Sequence, residues 1–308
     1  VWLRYAYAIY ALSLALLVVV EFSGSIGMGA QRWIDLGVFT IQPSEIMKVS
    51  IILLLARYFY ASRMEDVGRI SHILMPLILM AVPAILVMRQ PDLGTTILMV
   101  ATGIAMLFLV GVRIWVFVAG ALATIAAVIP LWQFVLLDYQ KKRLLTFIDP
   151  EKDPLGAGYH ILQSKIALGS GGLFGKGFLE GSQSHLSFLP EKQTDFIFTM
   201  LAEEFGLVGG LVLIGLYMLL LIYAFAISLR CRSQFGRLMG MGVSTSFFLN
   251  IFVNIAMVMG VVPVVGMPLP LISYGGTAML TLMFSFGLLL NVYVHRDEQI
   301  GPGAADGN

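Results

Sequence analysis

An aspartate, Asp195, stands directly before the apolar residues Phe196, Ile197 and Phe198. Partial desolvation raises the pKa of a carboxyl group and makes its carboxylate a better proton acceptor. We therefore predict that Asp195 is a catalytic general base. A structural alternative stays open on residue chemistry alone, because Thr194 or Asp195 could cap the helix that begins here.

A second group combines Arg32 with Glu45 and Lys48, which lie in an otherwise apolar stretch. Exposing either of the latter two charges to lipid would be costly, so we expect both to face the interior of a helix bundle. Being three residues apart, Glu45 and Lys48 share a helix face and could pair. One interpretation is a cationic site for a phosphate-bearing substrate. The other is a buried structural ion pair, with Arg32 and Trp33 as an interfacial anchor.

Two further groups hold substrate-binding candidates. Asp92 lies in a short turn between two apolar runs, near a helix start, where a carboxylate complements the helix dipole. Asp92 is therefore either a helix cap or a substrate-binding residue. Gln163, Ser164 and Lys165 are the other candidates, although Ser164 beside Lys165 is a weak nucleophile without supporting geometry.

The long stretch that contains these last residues shows no sign of an organic cofactor. Five glycines fall within residues 169–177, but their spacing and the glycine after Lys176 do not match a phosphate-binding Walker loop. His160 and His185 have no cysteine at metal-ligand spacing, so no structural zinc site is predicted. Glu203 and Glu204 could pair with a lysine or arginine of this stretch.

The elements that position these residues must be membrane helices. The chain has 308 residues, of which 58% are hydrophobic and only 12% charged, far fewer charges than in a soluble domain. Its net charge of +1 gives no reason to expect nucleic-acid binding. The apolar runs predict eight spans, the last two separated by a cluster of prolines and glycines: 5–20, 41–59, 70–88, 93–112, 114–137, 205–229 and a pair within 238–294.

The positive charges orient these spans. With the first helix running outward, nine arginines fall on the cytoplasmic side and two in the short outer loops. Residues 138–195 then form one large extracytoplasmic loop, and all the candidate sites lie on the outer half of the bundle, where they could face one cavity. The amphipathic residues 159–168 predict an ordered cap, with the glycines of 169–177 as its hinges. Residues 301–308 have the composition of a disordered tail.

Taken together, seven sequence strings resemble the SEDS family of bacterial cell-wall polymerases, and within it the RodA (elongation) type rather than the division type. The strings occur in one order and cover most of the chain: 29–37, 42–45, 90–95, 153–159, 163–177, 189–198 and 268–276. The resemblance implies an all-α polytopic membrane protein of ten helices, of which this chain would hold eight within a single domain of residues 1–300.

The resemblance also implies a reaction. A sugar hydroxyl of one lipid II disaccharide attacks the anomeric carbon of a glycan attached to undecaprenyl pyrophosphate, and the strand grows. Asp195 matches the family's essential acidic residue. Arg32 and Lys48, together with Arg89 or Lys165, could meet the pyrophosphate.

A divalent cation, Mg²⁺ or Mn²⁺, could assist at the pyrophosphate, although its ligands are not evident from the sequence. The expected partners are lipid II, membrane lipid and a class B penicillin-binding protein. Two alternative functions follow from the same features, a lipid II flippase and a noncatalytic scaffold for that penicillin-binding protein.

Overall fold

A computed structural model describes residues 1–27, 30–35, 37, 40–62, 67–136, 138–149, 157–181 and 193–298. Most of these residues are helical. The helices are α1 (Trp2–Ser23), α2 (Pro43–Tyr60), α3 (Ile70–Arg89), α4 (Leu93–Val110), α5 (Ile114–Pro130), α6 (Asp138–Ile148), α7 (Ala157–Ser170), α8 (Ile197–Arg230), α9 (Gln234–Val258) and α10 (Gly276–Val294). A short π-helical turn, Leu131–Val135, follows α5.

Six of the described helices, α1, α3, α4, α8, α9 and α10, are long and apolar enough to cross a membrane. The other two predicted spans coincide with α2 and α5. Helix α2 carries three charged residues, Glu45, Lys48 and Arg57, and α5 is apolar but has only 17 residues. The polytopic helical fold is therefore as predicted, whereas eight membrane crossings stay a prediction.

The ends of the helices follow the local sequence signals. Helix α4 begins after Asp92 and ends at Gly111, which adopts the left-handed conformation (φ 98°) that favours glycine. The segment 259–275 between α9 and α10 is not helical, as its prolines and glycines predict. The predicted amphipathic segment lies within α7 and is helical.

A small antiparallel sheet in the loop after α1 was not predicted. Its strands are β1 (Ser25–Gly27), β2 (Ala30–Asp35) and β3 (Thr40–Ile41), in the order β1-β2-β3, with Ile34 opposite Ile41. Strands β1 and β3, with three and two residues, are too short for a recognisable alternating pattern, and the six residues of β2 do not alternate between apolar and polar. The sheet adds a feature to the all-α prediction and carries one of the candidate residues, Arg32.

The chain divides into two compact units. The first comprises Val1–Val112, Leu220–Leu249 and the chain from Gly275 onward, and the second comprises Arg113–Leu219 and Asn250–Tyr274. Helix α2 is the core of the first unit, because α1, α3, α4 and α10 all pack against it. The prediction of a single domain over residues 1–300 stays a prediction, and the tail 301–308 lies outside the described residues.

Candidate functional site

Glu45 and Lys48 form the predicted ion pair. Lys48 Nζ lies 2.8 Å from Glu45 Oε1, and the two side chains are only 12% and 8% exposed, respectively. Since α2 is the core of the first unit, both charges lie in the bundle interior, as expected from the price of exposing them to lipid. Pairing is thus confirmed, and the substrate-binding role of both residues stays a prediction.

Asp92 ties together the N-termini of α2 and α4. Its Oδ1 accepts a hydrogen bond from Thr95 N (3.2 Å), and its Oδ2 accepts one from Thr95 Oγ1 (2.9 Å). The same Oδ2 accepts hydrogen bonds from Gln42 Nε2 (2.9 Å) and Ser44 Oγ (3.4 Å), both at the start of α2. The capping interpretation of Asp92 is therefore confirmed, while its substrate-binding role stays a prediction.

Arg32, on β2, anchors the small sheet to the turn between α3 and α4. Its Nε donates to Gln90 O (3.0 Å), and its guanidinium also donates to Pro91 O. Gln90 in turn donates from Nε2 to Leu17 O (3.0 Å) on α1. A guanidinium carries five N–H donors, so this anchoring is compatible with binding a phosphate as well. The substrate role of Arg32 stays a prediction.

Asp195 lies in the turn 193–196 in the second unit and is partly exposed. Helix α8 begins at Ile197. The carboxylate lies over Gly266, where a Cβ would stand 3.3 Å from Asp195 Oδ2. The capping alternative stays open, and the general-base role stays a prediction.

Helix α7 is held in place by Ser164, which is fully buried. Ser164 Oγ donates to Val258 O (2.9 Å) at the end of α9, and it lies 3.0 Å from Thr199 Oγ1 on α8. These bonds join three helices and make Ser164 a packing residue in this structure. Its predicted contact with substrate would require α7 to move and stays a prediction.

Lys165 and Gln163 flank Ser164 on the same helix. Gln163 is partly exposed. The Lys165 ammonium lies beside Gly260, where a Cβ would stand 2.8 Å from Nζ, just beyond the last residue of α9. A cation is favourable at a helix C-terminus because of the helix dipole. The position of Lys165 is compatible with this interaction, and substrate binding by both residues stays a prediction.

Residues 171–177, which hold four of the five glycines, are docked on a break in α8. Gly206 is non-helical (φ 64°, ψ −162°), and the broken helix exposes backbone groups on both sides of it. Residues 172–177 bond to these groups: Leu207 N donates to Gly172 O (3.0 Å), Val208 N to Leu173 O (3.1 Å), Lys176 N to Glu203 O (3.0 Å) and Gly177 N to Glu204 O (3.1 Å).

This docking argues against the predicted hinge. A Cβ on Gly171 would collide with the backbone of Ala202, and one on Gly175 with that of Glu204. Gly171 and Gly175 are therefore needed for close backbone contact, and Gly172 and Gly177 have the positive φ of turns. Lys176 Nζ and Glu203 Oε1, 2.7 Å apart, add an ion pair, which confirms that Glu203 pairs with a lysine of this stretch.

Among the described residues no group of three or more histidine, cysteine, aspartate or glutamate side chains could hold a metal ion. A divalent cation therefore remains a prediction without assigned ligands. His185, the strings 29–37, 153–159 and 189–198 in part, and the tail lie outside the described residues.

The chain is similar to known proteins along nearly its whole length. The family described as "Cell cycle protein", comprising FtsW, RodA and SpoVE, matches residues 1–298. The chain is 50% identical over 289 residues to peptidoglycan glycosyltransferase MrdB of Escherichia coli (strain K12), covering 94% of this chain and 77% of that protein. It is 38% identical over 280 residues to stage V sporulation protein E of Bacillus subtilis (strain 168), covering 91% and 75%.

Solved structures share the fold. One, described as "Structural coordination of polymerization and crosslinking by a peptidoglycan synthase complex", superposes with a TM-score of 0.81 at 31% identity and covers 96% of this chain and 83% of its own. A crystal structure of the rod shape determining protein RodA from Thermus thermophilus gives a TM-score of 0.70 at 28% identity, with coverage of 96% and 80%.

Proposed function

Since this chain belongs to the family of FtsW, RodA and SpoVE, we propose that it is a peptidoglycan glycosyltransferase of the RodA type. It polymerises lipid II into glycan strands during cell elongation and rod-shape maintenance and releases undecaprenyl pyrophosphate. The observation that carries this function is the 50% identity to a peptidoglycan glycosyltransferase over 94% of the chain.

Asp195 is the proposed general base. A sugar hydroxyl gives its proton to the Asp195 carboxylate, its oxygen bonds to the anomeric carbon, and the bond from that carbon to the pyrophosphate oxygen breaks. The partial exposure of Asp195 supports this role, because a base must reach substrate.

Arg32, Lys48 and Lys165 are the proposed cationic partners of the pyrophosphate. The pyrophosphate gains negative charge as it leaves the anomeric carbon, and nearby cations stabilise that charge. A divalent Mg²⁺ or Mn²⁺ ion would add to this neutralisation. Asp92, Glu45, Gln163 and Ser164 complete the proposed substrate-binding set. The hydrogen bonds of Asp92 hold α2 against α4, and those of Ser164 hold α7 against α8 and α9. These bonds support an indirect contribution of both residues to substrate binding.

We propose that the protein is embedded in the bacterial cytoplasmic membrane with its site facing the periplasm or cell exterior. The distribution of arginines supports this orientation. A class B penicillin-binding protein is the proposed partner. The similarity to a chain of a synthase complex that coordinates polymerization and crosslinking supports such a partnership.

The test uses the purified full-length protein with lipid II and Mn²⁺ or Mg²⁺, with and without the partner, and measures glycan length on a gel. We expect polymer from the wild type and at least roughly 100-fold less from Asp195→Asn. The matched control is Asp297→Asn, which changes an exposed acid outside the proposed site.

Two results would replace this proposal. Lipid II transfer between leaflets of a vesicle without polymer would identify a flippase. Polymer that requires the partner's own transferase activity, and is unchanged in Asp195→Asn, would identify a scaffold.

A further inference from the structure

The turn that carries Asp195 is held by three consecutive backbone carbonyls. Gln193 O accepts a hydrogen bond from Tyr274 N (2.9 Å), and Thr194 O accepts one from Ser273 Oγ (2.6 Å). Asp195 O accepts one from Asn254 Nδ2 (2.9 Å). All three donors come from α9 or the segment after it, 59 to 81 residues further along the chain.

Asn254 is fully buried near the end of α9 and uses both amide hydrogens on carbonyls. Its Nδ2 donates to Met267 O (2.6 Å) as well as to Asp195 O. This fixes the orientation of the amide, because exchanging its oxygen and nitrogen would set Oδ1 against two acceptors. Within the described part of the chain, Asn254 Oδ1 is buried without a hydrogen-bond partner. Such a group costs free energy, so stability alone does not account for an asparagine here.

Ser273 connects the turn to the proline-rich segment 268–274. Its Oγ accepts from Leu269 N (2.7 Å) while donating to Thr194 O. Tyr217 OH holds the same segment by donating to Pro270 O (2.5 Å). Leu271 lies between these anchors at φ 67°, a conformation that a leucine rarely adopts. Backbone strain of this kind persists only where surrounding contacts impose it, and it clusters at functional sites.

Gly266 leaves room for the carboxylate of Asp195, whose turn is held by these hydrogen bonds. A side chain at Gly266 would begin 3.3 Å from Asp195 Oδ2, and the backbone at φ 72° also favours glycine. The donors therefore fix the backbone of the turn, and Gly266 leaves space beside its reactive side chain.

Resting on the proposed function of Asp195, we propose that Asn254 and Ser273 are positioning residues for the transfer reaction. They act through the backbone carbonyls of Thr194 and Asp195 and set where the carboxylate stands relative to the sugar hydroxyl. A displacement of about 1 Å in such a group lowers the rate by roughly 100-fold. Their loss should therefore lower kcat and leave KM nearly unchanged.

The test measures initial polymerisation rates of the purified full-length protein at varied lipid II concentration. For Ser273→Ala and Asn254→Ala we expect kcat to fall by roughly 10- to 100-fold, with KM within about 2-fold of wild type. Ser273→Thr, which keeps the hydroxyl donor, should recover most of the rate. The matched control is Ser244→Ala, because Ser244 is also buried and, among the described residues, its hydroxyl bonds within α9, to Gly240 O.

A double-mutant comparison with Asp195 distinguishes a positioning role of Ser273 from a general role in packing. In an Asp195→Asn background, Ser273→Ala should cause no further loss of residual activity, because the group that it positions is already gone. An equal loss in both backgrounds, or wild-type kcat in both single variants, would overturn the inference while Asp195 keeps its role. Wild-type activity of Asp195→Asn would instead overturn the proposed base and this inference with it.

If Ser273→Ala does not fold, Ser273→Cys takes its place. It keeps the size of the side chain with a weaker donor. An intermediate kcat with unchanged KM is then expected, and a wild-type kcat would refute the positioning role.

Discussion

Asp92 and Asp195 lie in corresponding places, each just before an apolar helix, and the sequence allowed either to be a cap or a functional group. The structure separates them. The carboxylate of Asp92 is buried and accepts hydrogen bonds from Thr95, Gln42 and Ser44. Asp195 is partly exposed, and its main-chain carbonyl accepts the bond from Asn254.

The difference between Asp92 and Asp195 shows that the surrounding fold determines what a carboxylate can do. Both carboxylate oxygens of Asp92 accept hydrogen bonds from groups at the starts of α2 and α4. These hydrogen bonds join the two helices and stabilise the bundle. The turn of Asp195 is fixed through carbonyls of the main chain, and Gly266 gives its carboxylate space. The two aspartates therefore differ in what other segments bind: the carboxylate at Asp92, and the main chain at Asp195.

The largest expected effect concerns Asp195. Asp195→Asn should lower polymerisation by at least roughly 100-fold, because a proton acceptor is lost with little change in shape. The thermal unfolding midpoint should stay near that of wild type. Initial rates and unfolding of the same detergent-solubilised sample check both expectations, and polymer yield within a few-fold of wild type would contradict the base assignment.

Lys48 tests whether a buried carboxylate needs its partner. Lys48→Ala should destabilise the protein by about 3–5 kcal/mol, because it leaves Glu45 buried and unpaired. The double variant Glu45→Gln with Lys48→Met should recover folding but not activity if Lys48 also contacts the substrate phosphate.

Thermal unfolding and glycan synthesis of the double variant are measured together. Recovery of both folding and activity would show that Glu45 and Lys48 serve the fold only.

Asp92→Ala should show the reverse pattern to Asp195→Asn. It removes a helix cap and leaves buried donors without an acceptor, which lowers stability by about 2 kcal/mol. Asp92→Asn keeps one carbonyl acceptor and should fall between Asp92→Ala and wild type. Size-exclusion profiles after heating give the ranking, and a stable but inactive Asp92→Asn would break the comparison by giving Asp92 a role at the substrate.

The smallest expected effect concerns the break in α8 at Gly206. Backbone hydrogen bonds from residues 172–177 hold this break, as hydrogen bonds to backbone carbonyls hold the turn of Asp195. Gly171→Ala should destabilise the protein by about 1–3 kcal/mol, because its methyl meets the Ala202 backbone. Gly169→Ala is the matched control: Gly169 is helical with open space around it, so alanine should stabilise by up to about 1 kcal/mol. Equal unfolding midpoints for the two variants would show that residues 171–177 are not docked in solution.

The sequence alone determined the structural features that depend on residues close together along the chain. Apolar runs bounded by charges predicted the helices, and prolines and glycines predicted the irregular segment between α9 and α10. Glu45 and Lys48 are three residues apart on α2, and the helical repeat brings side chains at that spacing together. Asp92 caps α4 by accepting a hydrogen bond from the backbone N–H three residues further on. Such contacts depend only on local geometry.

The tertiary structure alone decided which distant groups meet. Lys176 reaches Glu203 across 27 residues, and Ser273 reaches Thr194 across 79. No periodicity records such contacts, because they depend on how the chain returns after several helices. The same holds for the roles of the two aspartates: each sequence neighbourhood permits a cap, and the donors that other segments bring to Asp92 and to the turn of Asp195 distinguish them.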